Sequence, residues 1–294
     1  MIAPTHDPRV PQPAPAPTPL LVASGKGGVG TSVVAALHAL AAAERGDRVL
    51  LIDANEGGGS LHHLFGARPT HSLWMLCDPR AVPEDLPIAI DHNLTLVAGG
   101  TSGAAVAPAT DAERRDALKR LAELYAQYDV VVIDGGSRLD TISAISEVSN
   151  ASLLLVTSAD RLALAANYAL VKSVTAKRND APIALIANRH GEGLAQEACD
   201  FLVGACSHFL ARSIDVVSGI PDDPCLQAAI GAGMTIRDAL DGSPAADAVR
   251  VTVQRLLPSQ RAASQTLAMS AASTVAPPPP PPLPLPTPLS RRWS

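Results

Sequence analysis

The chain has 294 residues, of which 47% are hydrophobic but only 3% aromatic, and its net charge is −5. This acidic balance, without an arginine- or lysine-rich block, gives no strong signal for a nucleic-acid partner held by electrostatics. The four cysteines have no CxxC spacing, which favours reduced thiols over a metal site or disulfides. Because we find neither a signal-peptide pattern nor an apolar run of about 18 residues, we expect a cytoplasmic protein.

Both ends of the chain are rich in proline. Residues 1–19 alternate proline with alanine and other small residues, and residues 259–294 finish with "APPPPPPLPLPTPLSRRWS". Such segments lack the apolar content that a core requires, so we expect disordered, extended tails around one domain at residues 20–258. The proline run fits an SH3-like or WW-like groove, although an inert spacer is the better interpretation.

Between the tails, strand-like and helix-like segments alternate. The strand-like segments are continuous apolar runs, which is typical of strands buried on both faces. Predicted strands cover residues 20–24, 49–53, 94–99, 130–134, 153–158 and 183–188, and predicted helices include residues 32–45, 112–127 and 159–177. This alternation predicts an α/β fold with a doubly wound, mostly parallel sheet and helices on both faces.

The last predicted helix lies at residues 245–257. Its apolar side chains fall on one face, with Arg250 and Arg255 elsewhere. An amphipathic helix of this kind binds a membrane surface or packs on a core. Since it falls where a final core helix is expected, we interpret it as a core helix, and membrane contact is at most peripheral.

The stretch "GKGGVGTS", Gly25 to Ser32, follows the first strand and opens the first helix. Its glycines allow backbone N–H groups to point into one concavity, and the positive end of the helix attracts anions. Ser32 stands where a hydroxyl would join a magnesium shell. Asp53 and Asp134 each end an apolar strand on the same side of the sheet. This combination predicts a phosphate-binding site.

The segment "SGKGGVGTS" resembles the deviant phosphate loop of the MinD/ParA family of ATPases, usually written KGGVGKT. Further similar segments lie at residues 48–66, 93–100, 128–136 and 219–233. The last of these, "GIPDDPCLQAAIGAG", resembles the flagellar-placement branch of the family, FlhG. The resemblance implies the P-loop NTPase fold and binding of ATP or ADP with Mg²⁺.

The resemblance also implies which residues contact the nucleotide. Asn188, Pro221 and Asp222 match positions near the base, although Asn188 would equally well bind backbone alone. The residues that the resemblance places at the phosphates are Gly25, Lys26, Gly27, Gly28, Val29, Gly30, Thr31 and Ser32.

The resemblance assigns metal and catalytic positions as well. Ser32, Asp53 and Asp134 match the residues that hold Mg²⁺, with Asp134 usually acting through water. Lys26 matches the signature lysine, which in relatives reaches across a homodimer to the nucleotide of the other subunit. Asp53 and Asn55 occupy the two positions that are acidic in the family's switch segment. The second position is degenerate, because Asn55 is an amide.

Two single residues and one short segment depart from the family pattern. Thr31 stands where the family has its second lysine, and loss of a charge-assisted hydrogen bond costs about 1.5–3 kcal/mol. Asn55 replaces an acid that positions the attacking water, and an amide cannot accept a proton as a carboxylate does. The segment Gly135–Arg138, which follows Asp134, also differs from the small residues that the family has after its second acid. We therefore expect weak nucleotide binding and weakened or lost hydrolysis.

The expected function is regulation of the placement or number of a surface structure, with the flagellum favoured, through protein partners of its assembly system. The alternatives are a working MinD/ParA-type ATPase and a nucleotide-free scaffold of a pilus-locating or partition system. His62 and His63 could indicate a metal, but no third ligand is evident, so we interpret them as surface or packing residues.

Overall fold

The computed structural model describes residues 16–56, 59–100, 110–190 and 194–258. The chain divides into Met1–Gln260 and Arg261–Ser294, and every described residue belongs to the first unit. The strands are β1 Leu20–Ala23, β2 Val49–Asp53, β3 Pro87–Ala89, β4 Leu94–Val97, β5 Val130–Gly136, β6 Ser152–Thr157, β7 Ile183–His190, β8 Asp215–Val216 and β9 Ile220–Pro221.

Helices connect the strands. The α-helices are α1 Thr31–Glu44, α2 Leu61–Leu64, α3 Asp111–Leu121, α4 Leu139–Ser149, α5 Arg161–Lys177, α6 Leu194–Leu210, α7 Pro224–Gly231 and α8 Pro244–Leu256. Short 3-10 helices cover Leu73–Cys77, Pro83–Asp85 and Ala122–Gln127. None of the described helices is both long and apolar enough to cross a membrane.

The sheet has the strand order β3-β4-β2-β5-β1-β6-β7-β8, and β9 pairs with β7. All of these pairs are parallel except β3 with β4, which is antiparallel. The predicted doubly wound, mostly parallel sheet is therefore confirmed. Strand order reverses around β1, and parallel α/β sheets bind ligands at such a switch point.

The sheet separates two apolar cores. Strand β1 directs Leu21 and Ala23 into one core and Leu20 and Val22 into the other. This alternation explains why the predicted strands read as continuous apolar runs, because both faces are covered. Helices α3, α4 and α6 contribute to the first core, and α1 and α8 contribute to the second.

Helix α8 packs on α1, which confirms the prediction of a core helix at residues 245–257. Val249 and Val253 of α8 are buried in the second core. A polar contact lies inside the same interface, where the Thr252 hydroxyl is 3.0 Å from His38 Nε2. His38 Nδ1 is in turn 2.8 Å from the Val34 carbonyl oxygen.

The predicted tails lie largely outside the described residues. Within the described part of the arm, Pro17 and Pro19 are buried. The Pro19 carbonyl, just before β1, accepts a hydrogen bond of 2.9 Å from the amide of Ser152, the first residue of the neighbouring strand β6. Packing thus begins a few residues before the boundary expected at Leu20.

Candidate functional site

The glycine-rich loop lies between β1 and α1, at the switch point of the sheet. Gly28 and Gly30 have positive φ angles of 82° and 92°, the left-handed conformation that favours glycine. A Cβ atom at Gly30 would also stand 2.4 Å from Asn188 Nδ2. Both the backbone conformation and the close approach of Asn188 therefore require glycine at position 30.

Two buried asparagines hold the ends of this loop. Asn167, on α5, accepts a hydrogen bond of 2.6 Å from the Gly25 amide and donates one of 3.1 Å to the Val156 carbonyl. Asn188, at the end of β7, donates a hydrogen bond of 2.8 Å to the Val29 carbonyl. The loop conformation is thus fixed by side chains from the second half of the domain. Asn167 is not predicted as a site residue from the sequence, because its local pattern is that of any solvent-facing helix residue.

The loop borders a pocket of about 230 Å³. Loop residues form one wall, while the ends of β2, β5 and β7 supply the others. The lining residues are Gly27, Gly28, Gly30, Thr31, Ser32, Val33, Asn55, Gly136, Ser137 and Arg189. The two single residues that depart from the family pattern, Thr31 and Asn55, therefore line one pocket, although they lie in different segments of the chain.

Two buried aspartates stand side by side beneath this pocket, because Asp53 and Asp134 are register partners on β2 and β5. Asp53 accepts hydrogen bonds from the Asn55 and Leu61 amides at 3.2 and 3.0 Å. Burial, together with the charge of Asp134, raises the pKa of Asp53 to about 7. Asp53 therefore orders the chain that follows β2, the predicted switch segment.

Asp134, the second of these carboxylates, lies near the Ser32 hydroxyl. Its Oδ1 accepts a hydrogen bond of 3.0 Å from the Gly136 amide, and burial raises its pKa. The nearby Ser32 hydroxyl lowers the pKa of Asp134. Even so, Asp134 Oδ2 has no well-formed hydrogen bond to any described residue. A buried carboxylate oxygen beside a hydroxyl is a donor set that suits Mg²⁺, a cation that prefers oxygen ligands. These two residues therefore fit the metal predicted for this site.

Lys26 lies outside the pocket lining. Its ammonium group forms an ion pair with Asp160, which also caps the N-terminus of α5. The hydrogen bond from Lys26 lowers the pKa of the Asp160 carboxyl. Within one subunit, Lys26 therefore does not supply the positive charge that is missing at Thr31.

A second cavity of about 300 Å³ adjoins the loop on the other side of Asn188 and Arg189. Val33, Leu37 and Leu226 give it apolar walls. Its lining residues include two of the three predicted base contacts, Asn188 and Pro221. An apolar cleft with a few polar groups at its rim suits a planar heterocycle.

The third predicted base contact, Asp222, is not among the residues lining this cavity. It is exposed and accepts a hydrogen bond of 2.7 Å from Gln227 Nε2. The lining acid is the next residue, Asp223, which accepts hydrogen bonds from the Leu226 amide and the Ser243 hydroxyl at 2.9 and 2.6 Å. The Asp-Pro pair at the start of α7 is a helix N-cap signal that would have distinguished Asp223.

A buried ion pair anchors the segment after Asn55. Arg114 of α3 donates to both carboxylate oxygens of Glu56, at 2.6 and 3.1 Å, and the two side chains are 6% and 3% exposed. The Thr141 hydroxyl donates to Glu56 at 2.5 Å. Sequence reasoning missed Glu56, because a single acid after a strand has no signature before its distant partners are known.

Two cavities adjoin the glycine loop: one is bordered by loop residues that lie near a magnesium-type donor set, and the other has apolar walls. The fold and this site define a P-loop nucleoside-triphosphatase type of protein. A family model for ParA, described as "NUBPL iron-transfer P-loop NTPase", matches residues 17–256. The chain belongs to the ParA family.

Known relatives are distant in sequence. The chain is 24% identical over 243 residues to the antiactivator FleN of Pseudomonas aeruginosa, covering 81% of this chain and 85% of FleN. It is 25% identical over 169 residues to the flagellum site-determining protein YlxH of Helicobacter pylori, covering 58% of this chain and 57% of YlxH. Among solved structures, the septum site-determining protein MinD of Pyrococcus horikoshii in complex with Mg-ADP superposes with a TM-score of 0.65 at 24% identity, covering 81% of this chain and 95% of MinD.

Proposed function

We propose that the protein is an FlhG-like regulator of flagellar placement or number, which binds ATP and ADP weakly with Mg²⁺ and acts through protein partners. The names of two relatives, an antiactivator and a flagellum site-determining protein, support the biological process. The solved relative in complex with Mg-ADP supports the ligand. A nucleotide-dependent homodimer, in which Lys26 leaves Asp160, is part of the proposal.

One observation carries the biochemical part: Thr31, at the end of the glycine loop, and Asn55, just after β2, line the same pocket. A bound nucleotide would supply the polyphosphate whose negative charge develops further during hydrolysis. Thr31 offers a neutral hydroxyl to that charge, and Asn55 offers an amide to the water. The remaining donors include the loop amides and the Ser32 hydroxyl, and they favour binding over turnover.

Calorimetric titration of the full chain with ATP and ADP, each with Mg²⁺, tests the proposal. We expect weak binding with little preference for ATP, because the missing lysine charge acts mainly on the terminal phosphates. Sub-micromolar ATP affinity with strong discrimination against ADP would instead favour a working ATPase. Absence of binding for both nucleotides would favour a nucleotide-free scaffold.

The cellular part requires a separate test. In a flagellated host, we expect deletion of the gene to change the number or position of flagella, counted by electron microscopy, and the intact gene to restore them. Unchanged flagella with misplaced pili or unstable plasmids would support the scaffold or partition alternative.

A further inference from the structure

The pocket of about 230 Å³ beside the glycine loop, which we name the phosphate pocket, is lined by one arginine that forms no ion pair with any residue the structure describes. Of the cations near the loop, Lys26 is paired with Asp160 and Arg138 lies 3.6 Å from Glu56. Arg189 instead lines the pocket, and its Nη2 is 3.9 Å from where a Cβ atom on Gly30 would stand. A guanidinium group is therefore available beside the loop from which the lysine is missing.

The backbone explains why Arg189 faces this pocket. In a regular strand, successive side chains point to opposite faces. The pairing of β7 with β9 shifts between Asn188 and His190, and Arg189 has a positive φ angle of 54°. Such an irregularity redirects a side chain, and a left-handed conformation at a non-glycine residue costs free energy that surrounding structure must offset. As a result, Asn188 and Arg189 both line the base cavity, and Arg189 also reaches the phosphate pocket.

We propose that Arg189 contacts the phosphates of the nucleotide and partly replaces the charge of the lysine that Thr31 displaces. This inference rests on the proposed nucleotide binding. A guanidinium group presents several N–H donors in a planar fork, and it binds phosphate oxygens through paired hydrogen bonds. Because Arg189 comes from β7 and not from the loop, it lies between the base and the phosphates. Arg189 thus contributes more to holding the nucleotide than to neutralising the charge of its terminal phosphate.

Calorimetric titration of wild type and the Arg189→Gln variant with ADP, pyrophosphate and adenosine tests the inference. We expect Arg189→Gln to weaken ADP and pyrophosphate binding roughly tenfold or more, as for loss of a charge-assisted hydrogen bond. Adenosine binding should change less than twofold, since it has no phosphate. Lys177→Gln, an exposed charge removal in the last turn of α5, is the matched control and should bind like wild type.

A second substitution, Thr31→Lys, tests whether Arg189 replaces the charge of the missing lysine. If Arg189 replaces the lysine, Thr31→Lys should restore ADP binding to Arg189→Gln, and it should improve wild type by a smaller factor. Equal improvement in both backgrounds would show that the two positions act independently and would overturn the replacement. Circular dichroism of Arg189→Gln must match wild type, because Arg189 is exposed and forms no ion pair with any described residue, so it is not expected to support the fold.

The outcomes separate the inference from the function on which it rests. Wild type that binds neither ADP nor pyrophosphate contradicts the proposed nucleotide binding. Wild type that binds both, with Arg189→Gln unchanged, contradicts the role of Arg189 and leaves the function in place. Loss of adenosine binding to the same extent as ADP binding would mean that Arg189 contacts the base, which also overturns a phosphate contact.

Discussion

At the scale of single residues, Thr31 and Asn55 affect different steps of nucleotide turnover, so restoring them should have different effects. We expect Thr31→Lys to tighten ATP binding roughly tenfold, because it returns a cation to an anchored cradle of backbone amides. Asn55→Asp alone should change little, since a poorly held triphosphate leaves no well-placed water. Phosphate release by the double variant should exceed the sum of the single variants.

Steady-state phosphate release from wild type and the three variants measures this effect. Wild-type turnover that neither substitution raises would contradict a degenerate site. A double variant that binds ATP but remains inactive would place the defect elsewhere in the pocket, with Gly136 and Ser137 as the next residues to change.

His38 gives a second expectation at this scale. Burial lowers the pKa of His38 to about 4 from an ordinary value of 6.5. Because the folded state disfavours the charged ring, the stability that His38 contributes is complete above pH 6.5 and is lost as pH falls toward 4. The full difference corresponds to about 3 kcal/mol.

Urea unfolding of wild type and His38→Leu at pH 7 and pH 4 measures this contribution. We expect the free energy of unfolding of wild type to fall by about 3 kcal/mol more than that of the variant. His92→Gln, at an exposed histidine, should follow wild type. Parallel pH dependence of wild type and His38→Leu would show that other groups control acid stability.

At the scale of elements, the ion pair between Glu56 and Arg114 fastens the chain after β2 to α3. Arg114→Ala would leave Glu56 buried with one cationic neighbour fewer, and breaking a buried pair in this way costs about 3–5 kcal/mol. Arg115→Ala is the matched control on the same helix. It removes a partly exposed contact of 3.4 Å to Glu147, which is worth about 1 kcal/mol or less.

Urea denaturation of both variants checks this difference. We expect a clear loss of stability for Arg114→Ala and a small one for Arg115→Ala. Equal losses would mean that Arg114 contributes no more than a surface residue, and that the segment after Asn55 is held by its backbone contacts instead.

At the scale of the whole molecule, the pair of Lys26 with Asp160 would oppose dimer formation, if Lys26 reaches the nucleotide of a second subunit. Asp160→Asn keeps an N-cap residue on α5 but removes the charge that holds Lys26. We expect this variant to form more dimer than wild type when ATP and Mg²⁺ are present. Lys26→Gln should form less dimer, because it lacks the reaching cation.

Light scattering coupled to size-exclusion chromatography, with and without nucleotide, measures the dimer fraction. Dimer formation by Lys26→Gln at the wild-type level would contradict an intersubunit role for Lys26. A nucleotide-independent rise in mass for Asp160→Asn would indicate association through another surface.

The sequence by itself determined the features that depend on neighbours along the chain. The apolar runs of β1, β2 and β5 and the glycine loop before α1 are local patterns, and the structure has each of them. The placement of Asp53 and Asp134 at one edge of the sheet also followed from sequence, because parallel strands bring their carboxyl ends to one edge, but their pairing on neighbouring strands did not. The short strands β3, β8 and β9 were not predicted, since two or three residues carry no periodicity.

Only the tertiary structure decided which distant side chains complete the site. Asn167 binds the Gly25 amide across 142 residues of chain, and Glu56 meets Arg114 across 58 residues. Arg189 faces the phosphate pocket because pairing with β9 shifts at that residue, and the register of a strand depends on its partner. Local sequence preference specifies the helices and strands, whereas contacts between these elements specify the hydrogen-bond partners. The position of the Arg189 guanidinium near Thr31 depends on such contacts between elements.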